Sequence, residues 1–182
     1  HIVDDGTNLN DIMHELAQSI IDNYAPTKAS INYINADTQL RDNFKQAINN
    51  ARNVLNKTKG QNLDFEAVDA LKDAISETKD SLNGIERLKA AKLKADKFIE
   101  GLNQINKAQL THALKDVAST DSLTKLSRLI NKSMNLDDAM NALKDSLINN
   151  AAPVQASSNY INADNDLKNQ FDEALNLSLI HI

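Results

Sequence analysis

The sequence predicts an all-α protein, and three features carry that expectation. Glycine and proline are scarce, at 4 and 2 of 182 residues, and aromatics make up only 4%, far from the turn residues and β-branched or aromatic alternation that strands require. Ala, Leu, Lys, Asn and Asp dominate instead, which favours helices with polar faces and thin apolar seams. Apolar residues also recur at three- and four-residue spacing along most of the chain.

The first helix is expected from about Leu9 to Asn23, with Met13, Leu16 and Ile20 inward and Pro26 turning a loop beyond it. The clearest signal follows, where Leu40, Phe44, Ala47, Ile48, Ala51, Val54 and Leu55 mark one helical face. Asn35 or Asp37 can cap its start, because a short oxygen-bearing side chain accepts from the free N–H groups of the first turn. Gly60 in TKGQN offers a left-handed stop. A third helix carries Phe65, Val68, Leu71, Ile75, Thr78 and Leu82, with Asp64 at its mouth and Gly84 near its end. Short connections between three amphipathic helices make an antiparallel bundle, placed at 8–84.

A smaller bundle is expected at 85–134. Its stripes are Leu88, Ala91, Ala95, Phe98 and Leu102, then Ala108, Leu110, Ala113, Leu114 and Val117. A Ser119 or Thr120 cap follows, then Leu123, Leu126 and Ile130. At about fifty residues, a core standing alone is marginal. No glycine or proline interrupts the helical pattern from Asp121 to Ala152, yet the stripe moves on to Leu136, Met140, Leu143 and Leu147. The six-residue step from Ile130 to Leu136 is about 600° of winding, so the seam turns by about a third of a circle. One shared helix of ~45 Å would serve the small bundle through Leu126, Leu129 and Ile130, and a further bundle through Leu136 and Met140. The alternative is a break near Asn135, where NLDD can cap a new helix.

The hexapeptide NYINAD occurs at Asn32–Asp37 and again at Asn159–Asp164, 127 positions apart. At the same offset Asn8, Leu9, Met13, Leu16, Ser19, Asn23 and Pro26 meet Asn135, Leu136, Met140, Leu143, Ser146, Asn150 and Pro153, and Leu40, Phe44 and Ala47 meet Leu167, Phe171 and Ala174. Segment 135–176 therefore reads as the first two helices of the large module again, in an array of repeats. LSLIHI at 177–182, and HIVDDG at the start, read as appended residues of no functional weight. Leu136, Met140, Leu143, Leu167 and Phe171 are expected to lack cover within the chain, so this end frays or associates with another molecule.

Catalytic and cofactor chemistry find little support. His1, His14, His112 and His181 are far apart and cysteine is absent, so neither a zinc pattern nor thiolate chemistry is present. DDGTNLND lacks the late glutamate of a calcium loop, and Asp137 and Asp138 read as first-turn or surface charge. No phosphate-cradling glycine loop or nucleophile elbow appears, and no enzyme or cofactor is expected. The lysines Lys89, Lys92, Lys94 and Lys97 interleave with Glu86, Asp96 and Glu100 in a chain of net charge −5, which suits a solvated face rather than a nucleic-acid footprint. No apolar run approaches the ~20 residues of a membrane span. Tyr33 and Tyr160 carry two readings: a ring packed across the end of its bundle, or a ligand contact offered by a loop.

NYINAD with the downstream LRDNFKQAINNARNVLN and VDALKDAISETKDSLNG resembles the FIVAR module, and Ile85 to about Lys132 resembles the small three-helix GA module. Their alternation is similar to that in the giant staphylococcal extracellular-matrix-binding surface proteins. The resemblance implies a fibrous, cell-wall-associated adhesin whose repeats stack into an elongated rod, with weak multivalent attachment to host matrix, chiefly fibronectin, and a part in biofilm formation. GA modules elsewhere bind serum albumin through aromatic residues in and before the second helix. Thr111 and His112 stand in that region here, which counts against albumin.

Overall fold

The structure, a computed structural model, describes residues 2–56 and 58–181. Among them every regular element is an α-helix, and the chain divides into two compact units, His1–Ala90 and Ala91–Ile182.

In the first unit, α1 (Ile2–Ala29), α3 (Thr38–Val54) and α4 (Phe65–Asp80) enclose one core, with the short α2 (Ile31–Asn35) between α1 and α3. Leu16, Phe44, Ile48, Val68 and Ile75 are fully buried there, as the three- and four-residue spacing requires. Phe65 departs from its expected place and is 42% exposed. It lies roughly 60–80° off the stripe centred on Val68 and Ile75. Asp64 caps α4 as expected, its carboxylate accepting from the N–H of Ala67 at 3.0 Å.

Several expectations about the connections are corrected. Pro26 does not turn a loop but lies inside α1, which runs on to Ala29. So near a helix end the missing N–H deprives only the exposed Asp22 carbonyl of its donor. NYINAD is likewise not loop: Ser30 accepts from the N–H of Tyr33 at 3.1 Å and starts α2. Asp37 stands at the N-cap of α3 without a side-chain cap bond, because its carboxylate is used elsewhere. Finally, α3 stops at Leu55 in right-handed geometry, and no glycine among the described residues has a positive φ. Gly60 serves close approach instead, since a Cβ there would meet the carbonyls of Val54 and Asn56. Gly84 opens the next helix, α5 (Gly84–Glu100), rather than closing α4.

The second unit holds the remainder of α5, then α6 (Lys107–Ser119), α7 (Leu123–Gln155), α8 (Ser158–Ile161) and α9 (Asn165–His181). Its core is Ala95, Ile99, Val117 and Leu126, joined by Leu110, Leu114 and Ile130. Ile99 occupies the seat expected for Phe98, which is 43% exposed, because both i+3 and i+4 continue the stripe from Ala95 and the tertiary contact selects i+4. Ala108 is also exposed. Asn106 and Gln109 form a reciprocal capping box at the start of α6. Thr120 ends α6 and does not cap α7; Ser122 does, accepting from Lys125 N–H at 3.2 Å.

Helix α7 is unbroken over 33 residues, about 50 Å at 1.5 Å per residue, and no new helix starts at Asn135. Pro153 falls near its end, as Pro26 does in α1. The moving seam meets at Ser133, which is buried and donates to the Leu129 carbonyl at 3.0 Å. Beyond it Leu136, Leu143 and Phe171 are half-buried and Leu167 is exposed. Met140 corrects the expectation of missing cover: it is 6% exposed. Its cover comes from within the unit, where the Gln109 amide donates to its sulfur at 3.5 Å. α9 continues through residues 177–181 of the expected tail, with Leu177, Leu179 and Ile180 exposed. His1 and Ile182 lie outside the described residues. Among the described residues no helix is long and apolar enough to cross a membrane.

Candidate functional site

The repeated hexapeptide builds a polar clasp in the first unit. Asn32 donates to the Leu82 carbonyl at 3.1 Å and accepts from the N–H of Ile85 at 3.0 Å. The N–H of Asp37 donates to the Asn83 side-chain oxygen at 3.0 Å, and the Asn83 amide returns a bond to the Asp37 carboxylate at 2.7 Å. Arg87 closes the ring, with Nε 3.1 Å from the other Asp37 oxygen and Nη1 donating to the Asn35 carbonyl at 2.6 Å. The corner Leu82–Arg87 between α4 and α5 is thus held by residues of α2 and its C-terminal edge. Gly84 makes this approach possible, since a Cβ there would fall on the Asn32 carbonyl oxygen. Asn35 is buried, and its amide donates back to the Ile31 carbonyl at 2.9 Å.

Segment 159–164 repeats the receptor half of this arrangement. Ser157 accepts from the N–H of Tyr160 at 3.2 Å as Ser30 does from Tyr33, and the Asn162 amide donates to the Ser158 carbonyl at 2.9 Å as Asn35 does to Ile31. The same local sequence folds into the same short helix, because its cap and back-bond are internal. Asn159 and Asn162 are exposed, however, whereas their counterparts Asn32 and Asn35 are half-buried and buried; Asp37 and Asp164 are exposed in both copies.

Both tyrosines named as candidate ligand contacts meet a phenylalanine edge-on. Tyr33 and Phe44 have centroids 6.1 Å apart, and Tyr160 and Phe171 5.7 Å apart, favourable quadrupolar geometry in each case. Tyr33 is buried and Tyr160 half-buried. The Tyr160 hydroxyl donates to Asp172 at 2.7 Å. That bond, with the neighbouring negative charge, holds the phenol above its ordinary range. Tyr24 shifts the opposite way: Lys28 reaches its hydroxyl, and the Arg52 guanidinium sits 4.1 Å from its ring centroid.

A second constellation lies on α7. Asp137 is neither first-turn nor idle surface charge: it sits mid-helix, and its carboxylate accepts from the N–H groups of Gln104 and Ile105 at 2.7 and 3.2 Å. It therefore fastens the segment before α6, while Met140, one turn on, meets Gln109. Among the shared-helix residues named from sequence, Leu126 and Met140 are buried and Leu129, Ile130 and Leu136 half-buried. The roles of Asn83, Gly84, Arg87 and Asp137 were missed, because each partner is distant in sequence and unmarked by any period. Among the described residues no group of three or more His, Asp or Glu side chains is disposed to hold a metal.

The FIVAR domain family model matches residues 13–83 and 139–177, and the GA module model matches 85–139. An extracellular matrix-binding protein EbhA of Staphylococcus aureus (strain Mu3 / ATCC 700698) is 40% identical over 174 residues, 96% of this chain. An extracellular matrix-binding protein ebh of Staphylococcus aureus (strain JH9) matches equally. The chain spans only 3% and 2% of the length of those relatives. Among solved structures, the 756–1003 domain of EbhA from Staphylococcus aureus aligns with a TM-score of 0.79 at 29% identity, over 91% of this chain and 65% of that one. A Staphylococcus aureus domain, 3912–4037, similar to streptococcal adhesins, aligns with a TM-score of 0.59 at 25% identity, over 70% of this chain and 98% of that one. The chain belongs to the family of FIVAR and GA repeats found in the staphylococcal extracellular matrix-binding proteins.

Proposed function

We propose that this chain is a repeat segment of a fibrous bacterial surface adhesin, displayed outside the cell on the wall. Each module makes weak contacts with host extracellular matrix, fibronectin above all, and the array contributes to biofilm. It is a binding and spacing element and carries no reaction. The modules are assigned to 8–84, 85–134 and 135–176. The observation that carries this reading is the FIVAR–GA–FIVAR succession of matches in a chain whose relatives are named for matrix binding. Unbroken α7 supports a mechanical role, because in tandem arrays nearest-neighbour interfaces set stability, and Leu126, Leu129, Ile130, Leu136 and Met140 are assigned to that coupling. A rod of such units presents many weak sites at once, and avidity follows without a strong single contact. Of the two tyrosines, Tyr33 is withdrawn into its bundle, which favours packing; Tyr160 keeps part of its surface and stays the candidate contact.

The test compares one purified chain on densely immobilised fibronectin, soluble fibronectin and albumin. Retention that rises with surface density, with weak binding in solution, is the expected result. Saturable one-to-one albumin binding, lost on changes around Leu110–Leu114, would replace this reading with an albumin-binding GA module. Retention on none of the three would make the segment a spacer.

A further inference from the structure

We propose that the seam between α1 and α3 beside Tyr24 is a binding site for a sulfated polysaccharide, whose sulfate esters are taken by Lys28, Lys45 and Arg52. The proposal rests on the reading of this chain as a matrix-binding repeat for the source of such a polymer, and it names a partner other than fibronectin at a defined place.

Two cationic heads meet at one ring. The Arg52 guanidinium lies 4.1 Å from the Tyr24 centroid, and the Lys28 ammonium lies 5.1 Å from it and 3.4 Å from its hydroxyl. The ring attracts each cation, yet neither forms an ion pair among the described residues, so no carboxylate offsets their mutual repulsion. Lys45 adds a third charge. On α3, Arg41, Lys45 and Arg52 fall within about 40° of one another and extend over ~16 Å. Asp42, the one acid of that helix, holds only Lys45, at 2.9 Å.

The second copy shows that the fold does not require this charge. Tyr24, Lys28 and Lys45 correspond there to Ala151, Gln155 and Asp172, and the Gln155 amide donates to Asp172 at 3.0 Å. That bond puts the two positions within reach of each other. In the same register the first copy sets two lysines together where a neutral and an acidic residue suffice to build the helices. Such a file of cations matches a linear polyanion, with Arg52 offering a planar fork to an ester oxygen pair. Ile21, three residues before Tyr24 and 67% exposed, gives the C–H face of a sugar ring an apolar seat, which a plain phosphate polymer would leave empty. In a chain of net charge −5 the cluster is a local reversal of sign, which steers a polyanion to this seam.

The experiment titrates the full chain with a heparin octasaccharide, followed by calorimetry and by NMR of amides and arginine side chains, at low and high salt. Saturable binding that weakens as salt rises is expected, with shifts at Ile21, Tyr24, Lys28 and Arg52 and none at Gln155. The double variant Lys28→Gln with Lys45→Asp installs the residues that the second copy carries on equivalent helices. Its helicity should therefore hold while affinity falls about tenfold or more, and Arg52→Gln should lose a similar factor. Fibronectin retention is read on the same proteins and should be unchanged by these substitutions; its absence from the unsubstituted chain would refute the matrix reading while heparin binding still upheld the site. No heparin binding, shifts centred on the lysines of α5, or undiminished affinity in the double variant would each overturn the proposal. So would inorganic polyphosphate binding as tightly as heparin, since the seam would then read charge alone.

Discussion

Proline at position 133 attacks α7 at the point where its seam changes partner. Ser133 lies ten residues inside a 33-residue helix and is buried. Ser133→Pro deletes the N–H that bonds to the Leu129 carbonyl and forces the ring against that carbonyl, at a cost of ~3 kcal/mol or more. The same carbonyl loses the Ser133 hydroxyl donor at 3.0 Å, so nothing on this residue compensates. A small bundle whose buried core is Ala95, Ile99, Val117 and Leu126 has only about 3–5 kcal/mol to lose. The substitution should therefore bring the second unit close to its unfolding midpoint in water. Ser133→Ala is the control: it keeps the backbone donor, removes one hydroxyl bond and gains helix propensity, so its net effect should stay within about 1 kcal/mol. Urea unfolding followed by circular dichroism measures the loss, and amide relaxation compares residues 123–130 with 143–150. An unchanged midpoint and equal correlation times in Ser133→Pro would show that α7 does not couple the elements it carries.

The repeat supplies a second prediction with its own internal control. Leu16→Ala empties a fully buried site and should cost about 3–5 kcal/mol, whereas Leu143→Ala, at a half-buried counterpart, should cost about 1–2; equal losses in denaturant unfolding would mean that Leu143 is packed as tightly as Leu16. The tyrosines should also separate on titration, Tyr24 ionising below and Tyr160 above the ordinary phenol range. With its folded value raised, Tyr160 contributes stability that is complete below the unfolded phenol value near 10 and is lost as pH rises through the folded value. Asp172→Asn should bring Tyr160 back toward normal, as read from tyrosine ring resonances against pH.

Periodicity carried the helices a long way. Val68 and Ile75, or Phe44 and Ile48, repeat on one face whichever helices they meet, so their burial follows from spacing alone. The 127-residue recurrence likewise announced a second copy, and the absence of glycine and proline over Asp121–Ala152 announced the length of α7. Proline misled in the other direction. Pro26 and Pro153 look like loop markers, yet a proline near a helix end sacrifices one hydrogen bond, and the local cap at Ser30 or Ser157 then decides where the chain turns.

Local chemistry was thus enough to specify which segments are helical, which faces are apolar and which module is repeated, because those depend on neighbours within a few residues. The tertiary structure alone decided the choice of Ile99 over Phe98, the anchoring of Gln104 and Ile105 by Asp137, and the clasp that joins Asn32 and Asp37 to Asn83 and Arg87. Each of these pairs groups far apart in sequence or selects between two equivalent seats on one helix. No spacing rule encodes such a choice; it is made only when helices meet and a buried or polar group must find a partner.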